Sequence, residues 1–339
     1  MNIAKILVGN NIDRLRQMED GSVRTVVTSP PYWGLRDYGT GTWVGGDSDC
    51  THRRESKKSD TTITGHKNFT EMLGVGDAIY KTACPRCGAI RQDDQLGLEE
   101  TVAEYVQKLV ELFREVRRVL ADDGTVWVNL GDTYLPSKDL AGVPWRVAMG
   151  LQDDGWCLRQ DIIWSKPNPM PESVKDRCTK SHEYIFMLTK QSKYFFNHEA
   201  IREPIADSSR ERLEQNIDEQ RGSVRAHAGD KTNGTMKAVG GDDGLRSRRS
   251  VWSVPTALYK EAHFAVYPPA LIAPCILAGS EPGDTVLDPF SGSGTTGVVA
   301  LLNQRNYVGL ELNPEYADIS EYRLTESLGL LAEIIVSRA

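Results

Sequence analysis

The chain has 339 residues, 40% hydrophobic and 26% charged, which is enough for one large α/β domain with insertions. Its longest apolar stretch, Ala262 to Leu277, is broken by Tyr-Pro-Pro, which excludes a membrane span, and nothing in the chain reads as a secretory leader. The net charge of −7 excludes binding a polyanion through overall charge and leaves only local basic patches for that purpose.

In chain order, the pattern predicts a strand from Ile3 to Val8, a short helix from Asn11 to Gln17 and a buried strand from Thr25 to Thr28. From about Gly41 to Asp94 periodicity is lost and polar residues dominate. A strongly amphipathic helix follows from Val102 to Leu120, with Val106, Leu109, Val110, Phe113 and Val116 on its buried face. Asp122-Asp123-Gly124 is expected to stop it before a strand from Thr125 to Leu130. Alternation continues through Trp145 to Asp153, Leu158 to Trp164 and Glu183 to Lys190, and a second irregular stretch runs from Ile201 to Ser253. A strand ending Val286-Leu287-Asp288, a helix from Thr295 to Asn303 and a strand from Tyr307 to Leu312 complete the pattern.

Ser29-Pro30-Pro31-Tyr32 closes the second strand. Both prolines have fixed φ and no N–H, so the carbonyls of Ser29 and Pro30 are expected to face outward with no local donor. Such carbonyls suit the exocyclic amine of an extruded base. Accepting its two protons lets the nitrogen pyramidalise and become nucleophilic. Tyr32 and Trp33 are placed to stack on that base, a contact worth ~1–3 kcal/mol. Taken alone, the segment reads equally well as a Pro-Pro turn after a buried strand.

Asp288-Pro289-Phe290-Ser291-Gly292-Ser293-Gly294-Thr295-Thr296 breaks the tie. Its glycines allow a tight turn and close backbone approach between strand and helix, as in a nucleotide-binding corner. The third glycine of a dinucleotide fingerprint is missing and no lysine follows for phosphates, so NAD and ATP fit poorly. Glu311 lies about 20 residues downstream at a strand end, where an acid can accept both ribose hydroxyls. No Ser-His-Asp set, paired carboxylates or Pro-Cys nucleophile stands out, which disfavours hydrolysis and C5-cytosine methylation.

A structureless insertion of the length of 41–94 needs a staple. Cys50-x-His52 and Cys84-Pro85-Arg86-Cys87-Gly88 offer three thiolates and an imidazole, and the second run resembles a zinc knuckle. Structural zinc, worth ~10–16 kcal/mol, would order such a polar segment. His66 is an alternative fourth ligand, and unligated reduced thiols are the competing reading. Cys157, Cys178 and Cys275 read as core fillers, and six cysteines without a secretory setting suit a reducing cytosol.

The chain resembles the β-class DNA amino-methyltransferases, which include N4-cytosine and some N6-adenine enzymes. The resemblance rests on Thr28 to Trp33, Asn129-Leu130-Gly131-Asp132, Asp161 to Pro167, His263 to Pro268, Asp288 to Thr296 and Gly309 to Tyr316. It implies a Rossmann-like, seven-stranded, mostly parallel sheet with circularly permuted motif order. It further implies S-adenosylmethionine as methyl donor and double-stranded DNA as substrate. A cognate restriction endonuclease and the cytoplasm of a bacterial or phage-infected cell follow as partner and location. By the resemblance, Asp288, Phe290, Gly292, Gly294, Thr295, Glu311, His263 and Phe264 form the cofactor site, and Ser29, Pro30, Pro31 and Tyr32 the catalytic loop. Ser29 at the head of the tetrapeptide favours the cytosine members. Gly9-Asn10-Asn11 and Arg24-Thr25 depart from the acidic residues often found at those places.

The expected division is 1–40, catalytic; 41–94, zinc-binding; 95–200, catalytic; 201–261, target recognition; and 262–339, cofactor-binding. Basic clusters occur at Arg53, Arg54, Lys57 and Lys58, at Lys175, Arg177 and Lys180, and at Arg246, Arg248 and Arg249. The last three, with Arg221, Arg225, Trp33 and Lys166, are candidate DNA contacts, since arginine forks fit guanine edges and phosphates alike. Solvated loops are the competing reading of each patch. Asp132 reads equally as an active-site group or a helix cap, and Trp164 as a core residue or a guide for the flipped strand.

Overall fold

The structure, a computed structural model, describes residues 2–52, 82–206, 244–256, 267–328 and 332–338. The first half of the chain comprises β1 (Asn2–Val8), α1 (Asn11–Arg16), β2 (Val23–Thr28), β3 (Thr42–Val44), β4 (Ile90–Gln92), α2 (Val102–Val119), β5 (Leu120–Leu130) and α3 (Val143–Asp153). It continues through β6 (Cys157–Ser165), β7 (His182–Thr189), β8 (Glu203–Pro204), β9 (Leu245–Arg246) and β10 (Val251–Ser253). The last part holds α4 (Pro269–Gly279), β11 (Thr285–Asp288), α5 (Thr295–Leu302), β12 (Asn306–Glu311), α6 (Pro314–Leu328) and β13 (Ala332–Arg338).

One sheet of nine strands runs in the order β10-β6-β7-β5-β2-β11-β12-β1-β13. Its inner seven strands are the expected ones, and β10 and β13 add an edge on either side. β7 runs antiparallel to both neighbours, and the other pairings are parallel. Successive strand residues face opposite sides, so Val26, Val126, Val128, Leu287 and Val308 pack with Tyr105, Leu109, Phe113 and Val147 of α2 and α3. Val27, Trp127, Val286 and Tyr307 pack with Leu271, Ile276, Val299 and Leu324 of α4, α5 and α6 on the other face. Burial on both faces explains why these strands read as continuous apolar runs. No helix among the described residues is long and apolar enough to cross a membrane.

Several expectations change in detail. On α2, Tyr105 and Leu112 are fully buried while Val106 and Val110 are half-buried, and Thr101 with Glu104 forms a capping box at its start. Asp122-Asp123-Gly124 does not separate helix from strand, because Leu120 is already extended and pairs with Val23. The register then shifts before Thr25 meets Thr125, and Arg24 reaches Asp123 across this irregularity. The segment 41–94 carries an antiparallel pair, with Thr42 opposite Gln92 and Val44 opposite Ile90.

Candidate active site

Parallel strands bring their carboxyl ends to one edge of the sheet, and ligands of open α/β sheets bind outside that edge. Here β2 leads into Ser29, β11 into Pro289, β5 ends beside Asn129, β6 leads into Lys166 and β12 ends at Glu311. Because β7 is antiparallel, its start lies at the same edge, with Glu183 opposite Trp164 and Tyr184 opposite Leu130. These groups enclose a cavity of about 550 Å³ lined by Ser29 to Tyr32, Asn129, Trp164, Lys166, Glu183, Phe290 to Ser293, Thr295 and Glu311. The two motifs therefore face one another across a single space.

At the loop Ser29 to Tyr32, the Tyr105 hydroxyl donates to Pro31 O (2.8 Å), fixing the second proline. Among the described residues no protein donor reaches the carbonyls of Ser29 or Pro30. The Tyr32 hydroxyl donates toward Glu183 Oε2 (2.7 Å), with Asn129 Oδ1 at 3.1 Å, and its ring lies against Gly131. A Cβ at Gly131 would stand 2.5 Å from Tyr32 Cε2. Burial, then the Glu183 carboxylate, raises the Tyr32 phenol well above its ordinary value, so it remains a donor. Asn129 Nδ2 donates to Glu183 Oε2 (3.3 Å) and to Tyr184 O (3.1 Å). Lys166 pairs with the other Glu183 oxygen and lies over the Trp164 ring at 4.3 Å.

At the glycine-rich corner, Asp288 lies beneath the cavity, with its oxygens taken by protein donors. Oδ1 accepts from Thr28 Oγ1 (2.6 Å) and Phe290 N (3.0 Å), and Oδ2 from Thr296 Oγ1 (2.7 Å) and Tyr267 Oη (3.0 Å). Burial raises its pKa against the pull of these donors. It ties the end of β2 to the glycine turn. Gly294 starts α5 at φ 76°, and a Cβ there would meet Ser320 Oγ at 2.2 Å. Glu311 accepts from Gly292 N and Asn313 N, both at 2.8 Å, and burial lifts its pKa to about 7. Phe290, Gly292 and Thr295 line the cavity, whereas His263 and Phe264 lie outside the described residues.

Cys50, His52, Cys84 and Cys87 converge, with their ligand atoms all within 4.8 Å of one another. The Sγ atoms of Cys50 and Cys84 are 3.7 Å apart, close to the edge of about 3.8 Å that tetrahedral Zn–S bonds dictate. His52 stacks on Trp43, and its Nε2 is buried without a hydrogen-bond partner among the described residues. Backbone N–H groups of Asp47 and Ala89 bring the Cys87 thiol down to about 6. The set fits zinc. His66, Arg53, Arg54, Lys57 and Lys58 lie outside the described residues.

Other expected contacts separate. Trp33 does not line the cavity; half-buried, it packs against the core and donates to Glu99 O (2.9 Å). Arg246 and Arg249 both donate to Glu203 Oε1, and Arg248 lies over Trp252, all away from the cavity wall. Arg221 and Arg225 lie outside the described residues. Asp132 accepts from Val143 N at the start of α3 (3.0 Å), which favours the cap reading. Asn129 and Glu183 had no assigned role in the sequence, and only the pairing of β7 reveals the second, while Tyr267 lies within the run His263 to Pro268 that the resemblance places over the methionine end of the donor.

The sequence profile of the N6_N4_Mtase family, described as DNA methylase, matches residues 23–322. The chain belongs to this DNA methylase family. It is 40% identical to the Type II methyltransferase M.Cfr9I of Citrobacter freundii, over 96% of this chain and 88% of that one. It is 37% identical to M.SmaI of Serratia marcescens, over 94% of this chain and 90% of that one. Among solved structures, the PvuII DNA methyltransferase (cytosine-N4-specific) matches 99% of this chain and 96% of its own length, with TM-score 0.58 and 16% identity. The TTHA0409 protein of Thermus thermophilus, solved with S-adenosyl-L-methionine, matches with TM-score 0.56 and 21% identity, over 98% of this chain and all of its own. At such identities the structural matches establish the methylase fold.

Proposed function

We propose that this DNA methylase transfers a methyl group from S-adenosylmethionine to N4 of a flipped-out cytosine in duplex DNA. The observation that carries the reading is the shared cavity: two carbonyls at Ser29 and Pro30, without protein donors among the described residues, across from the turn at Gly292 and the carboxylate of Glu311. The donor supplies an electrophilic sulfonium methyl. Glu311 accepts its ribose hydroxyls, and Asp288 positions the turn from below. Ser29 O and Pro30 O accept the two amine protons, directing the nitrogen lone pair at the methyl carbon. The carbon–sulfur electrons return to sulfur, and the surplus proton leaves to water. Tyr32, braced by Glu183 and Asn129, forms a wall for the base.

Cytosine is favoured over adenine by Ser29 at the head of the tetrapeptide, and the cytosine-N4-specific PvuII enzyme shares the fold. The Type II names of M.Cfr9I and M.SmaI support a cognate restriction endonuclease as partner. Cys50, His52, Cys84 and Cys87 hold a structural zinc ion, and residues 201–261 contribute target recognition. Tritiated donor and duplex DNA test the reading. Label recovered as N4-methylcytosine after nucleoside digestion is expected; N6-methyladenine corrects the base, and label in RNA or protein only, or nowhere, removes the function. Atomic absorption on protein purified without chelator, giving one zinc per chain, tests the metal.

A further inference from the structure

The four candidate metal ligands sit at one end of a connected run of contacts that finishes at Glu311. Cys84 N donates to Ala89 O, and Gly88 N to Cys84 O, so the knuckle fixes the entry to β4. β4 pairs with β3, whose Trp43 stacks on His52 at 4.3 Å, so both strands of the pair are tied to candidate metal-ligand residues. Arg91, opposite Trp43, leaves the strand pair in the other direction. Its guanidinium donates to both oxygens of Asp37 (2.6 and 2.9 Å) and to Asp93 Oδ2 (2.6 Å), with its side chain only 3% exposed. Gly41 makes this possible, since a Cβ there would stand 2.2 Å from Arg91 Nε.

The carboxylates that Arg91 holds organise two loop segments in turn. Asp93 Oδ1 accepts from Thr40 Oγ1 (2.7 Å) and Gln95 N (3.0 Å). Gln95 bridges back, accepting from Tyr38 N and donating to Arg36 O. Arg36, Tyr38, Thr40, Asp94, Gln95 and Leu96 then form one wall of the cavity. That wall closes on the glycine-turn side: Asn313 Nδ2 donates to Tyr38 O (3.2 Å), Asn313 N donates to Glu311 Oε1, and the Tyr38 ring meets Tyr316 edge-on at 6.1 Å. Two short strands cannot hold such a wall through their own pairing, and their side chains are largely exposed.

The geometry points to a metal-braced donor pocket: zinc at Cys50, His52, Cys84 and Cys87 fixes the β3–β4 pair, and Arg91 transmits that rigidity to the cavity wall beside the donor. This deepens the proposed function and rests on it. Metal and methyl donor are then linked ligands: each tightens the other by the same factor, although they touch no common residue. The reciprocity needs no change in overall fold, because both ligands pay for ordering the same wall.

The test titrates S-adenosylhomocysteine by calorimetry into zinc-loaded full-length protein, chelator-stripped protein and zinc-loaded R91Q, with zinc counted in each. Circular dichroism confirms that the main domain remains folded. Stripping is expected to weaken binding by about tenfold or more. R91Q is expected to keep one zinc per chain yet weaken binding by a comparable factor, because the metal stays while its connection to the wall is cut. Folded, stripped protein that binds within about twofold of the loaded form overturns the linkage, as does zinc-loaded R91Q with unchanged affinity. A chain that never takes up zinc removes the metal site itself. Zinc-loaded protein that binds no S-adenosylhomocysteine removes the donor site instead, so the two underlying failures are distinguishable.

Discussion

Glu311 combines deep burial with two backbone donors, and that competition sets its behaviour. Burial favours the neutral acid, the N–H groups of Gly292 and Asn313 favour the carboxylate, and the balance falls at about 7, above the ordinary 4.5. With a folded value above the unfolded one, its contribution to the stability of the free protein is full below about pH 4.5 and is lost as pH rises through about 7. Donor hydroxyls require the opposite, ionised form. Affinity for S-adenosylhomocysteine is therefore expected to rise about tenfold between roughly pH 6 and pH 8 and then level off; a flat calorimetric profile would dismiss Glu311 as the acceptor. Glu183 poses a different question, since it braces Tyr32 and Asn129 and pairs with Lys166 without lying in the glycine turn. Glu183→Gln keeps the shape and removes the charge. We expect kcat to fall by about tenfold to a hundredfold with donor affinity unchanged, because the base wall shifts and the donor pocket does not. An equal loss of donor affinity in the same variant would show that the two pockets are not independent.

The elements differ in how much of their placement is written locally. β1, β2, β11 and β12 are apolar runs that end in turn-forming residues, and α2 has one buried stripe, so neighbouring residues alone disclose them. Glu183 is otherwise: a carboxylate at the start of a strand reaches the active edge only because β7 runs against its neighbours, a fact of pairing that no local period records. The three-residue strands β3 and β4 are too short to show alternation, and Asp122-Asp123-Gly124 resembles a helix stop although the chain passes straight into β5. Asp132 illustrates the remaining ambiguity. Gly142, the residue before α3, offers no side-chain cap, and Asp132 supplies one from eleven residues upstream while Lys180 approaches its other oxygen at 3.8 Å. Asp132→Ala should cost about 1–2 kcal/mol in chemical denaturation, as lost caps do, and leave methyl transfer per folded molecule intact. A folded, stable variant without activity would restore the catalytic reading.

At the scale of the molecule, a net charge of −7 has to be reconciled with a polyanionic substrate, which requires positive charge where the cavity opens. The arginines most conspicuous in the sequence do not meet that requirement. Arg246 and Arg249 share Glu203, so their local charge is half neutralised before DNA arrives, and neither they nor Arg248 line the cavity. Lys175 is better placed, exposed between Glu172 and Lys180, two residues that do line it. Lys180 is half-buried, and desolvation lowers its pKa against the pull of Asp132, whereas Lys175, five residues earlier, is exposed and open to a phosphate. A single lost phosphate contact reduces the slope of log Kd against log salt by about 0.9, whereas loss of an uninvolved charge leaves the slope alone. In fluorescence anisotropy with duplex DNA, K175A should lower that slope by about one such step and leave S-adenosylhomocysteine binding unchanged, while R249A should leave the slope where it was. The reverse pattern, a reduced slope in R249A and none in K175A, would move the DNA path from the lip of the cavity to the β8–β9 face.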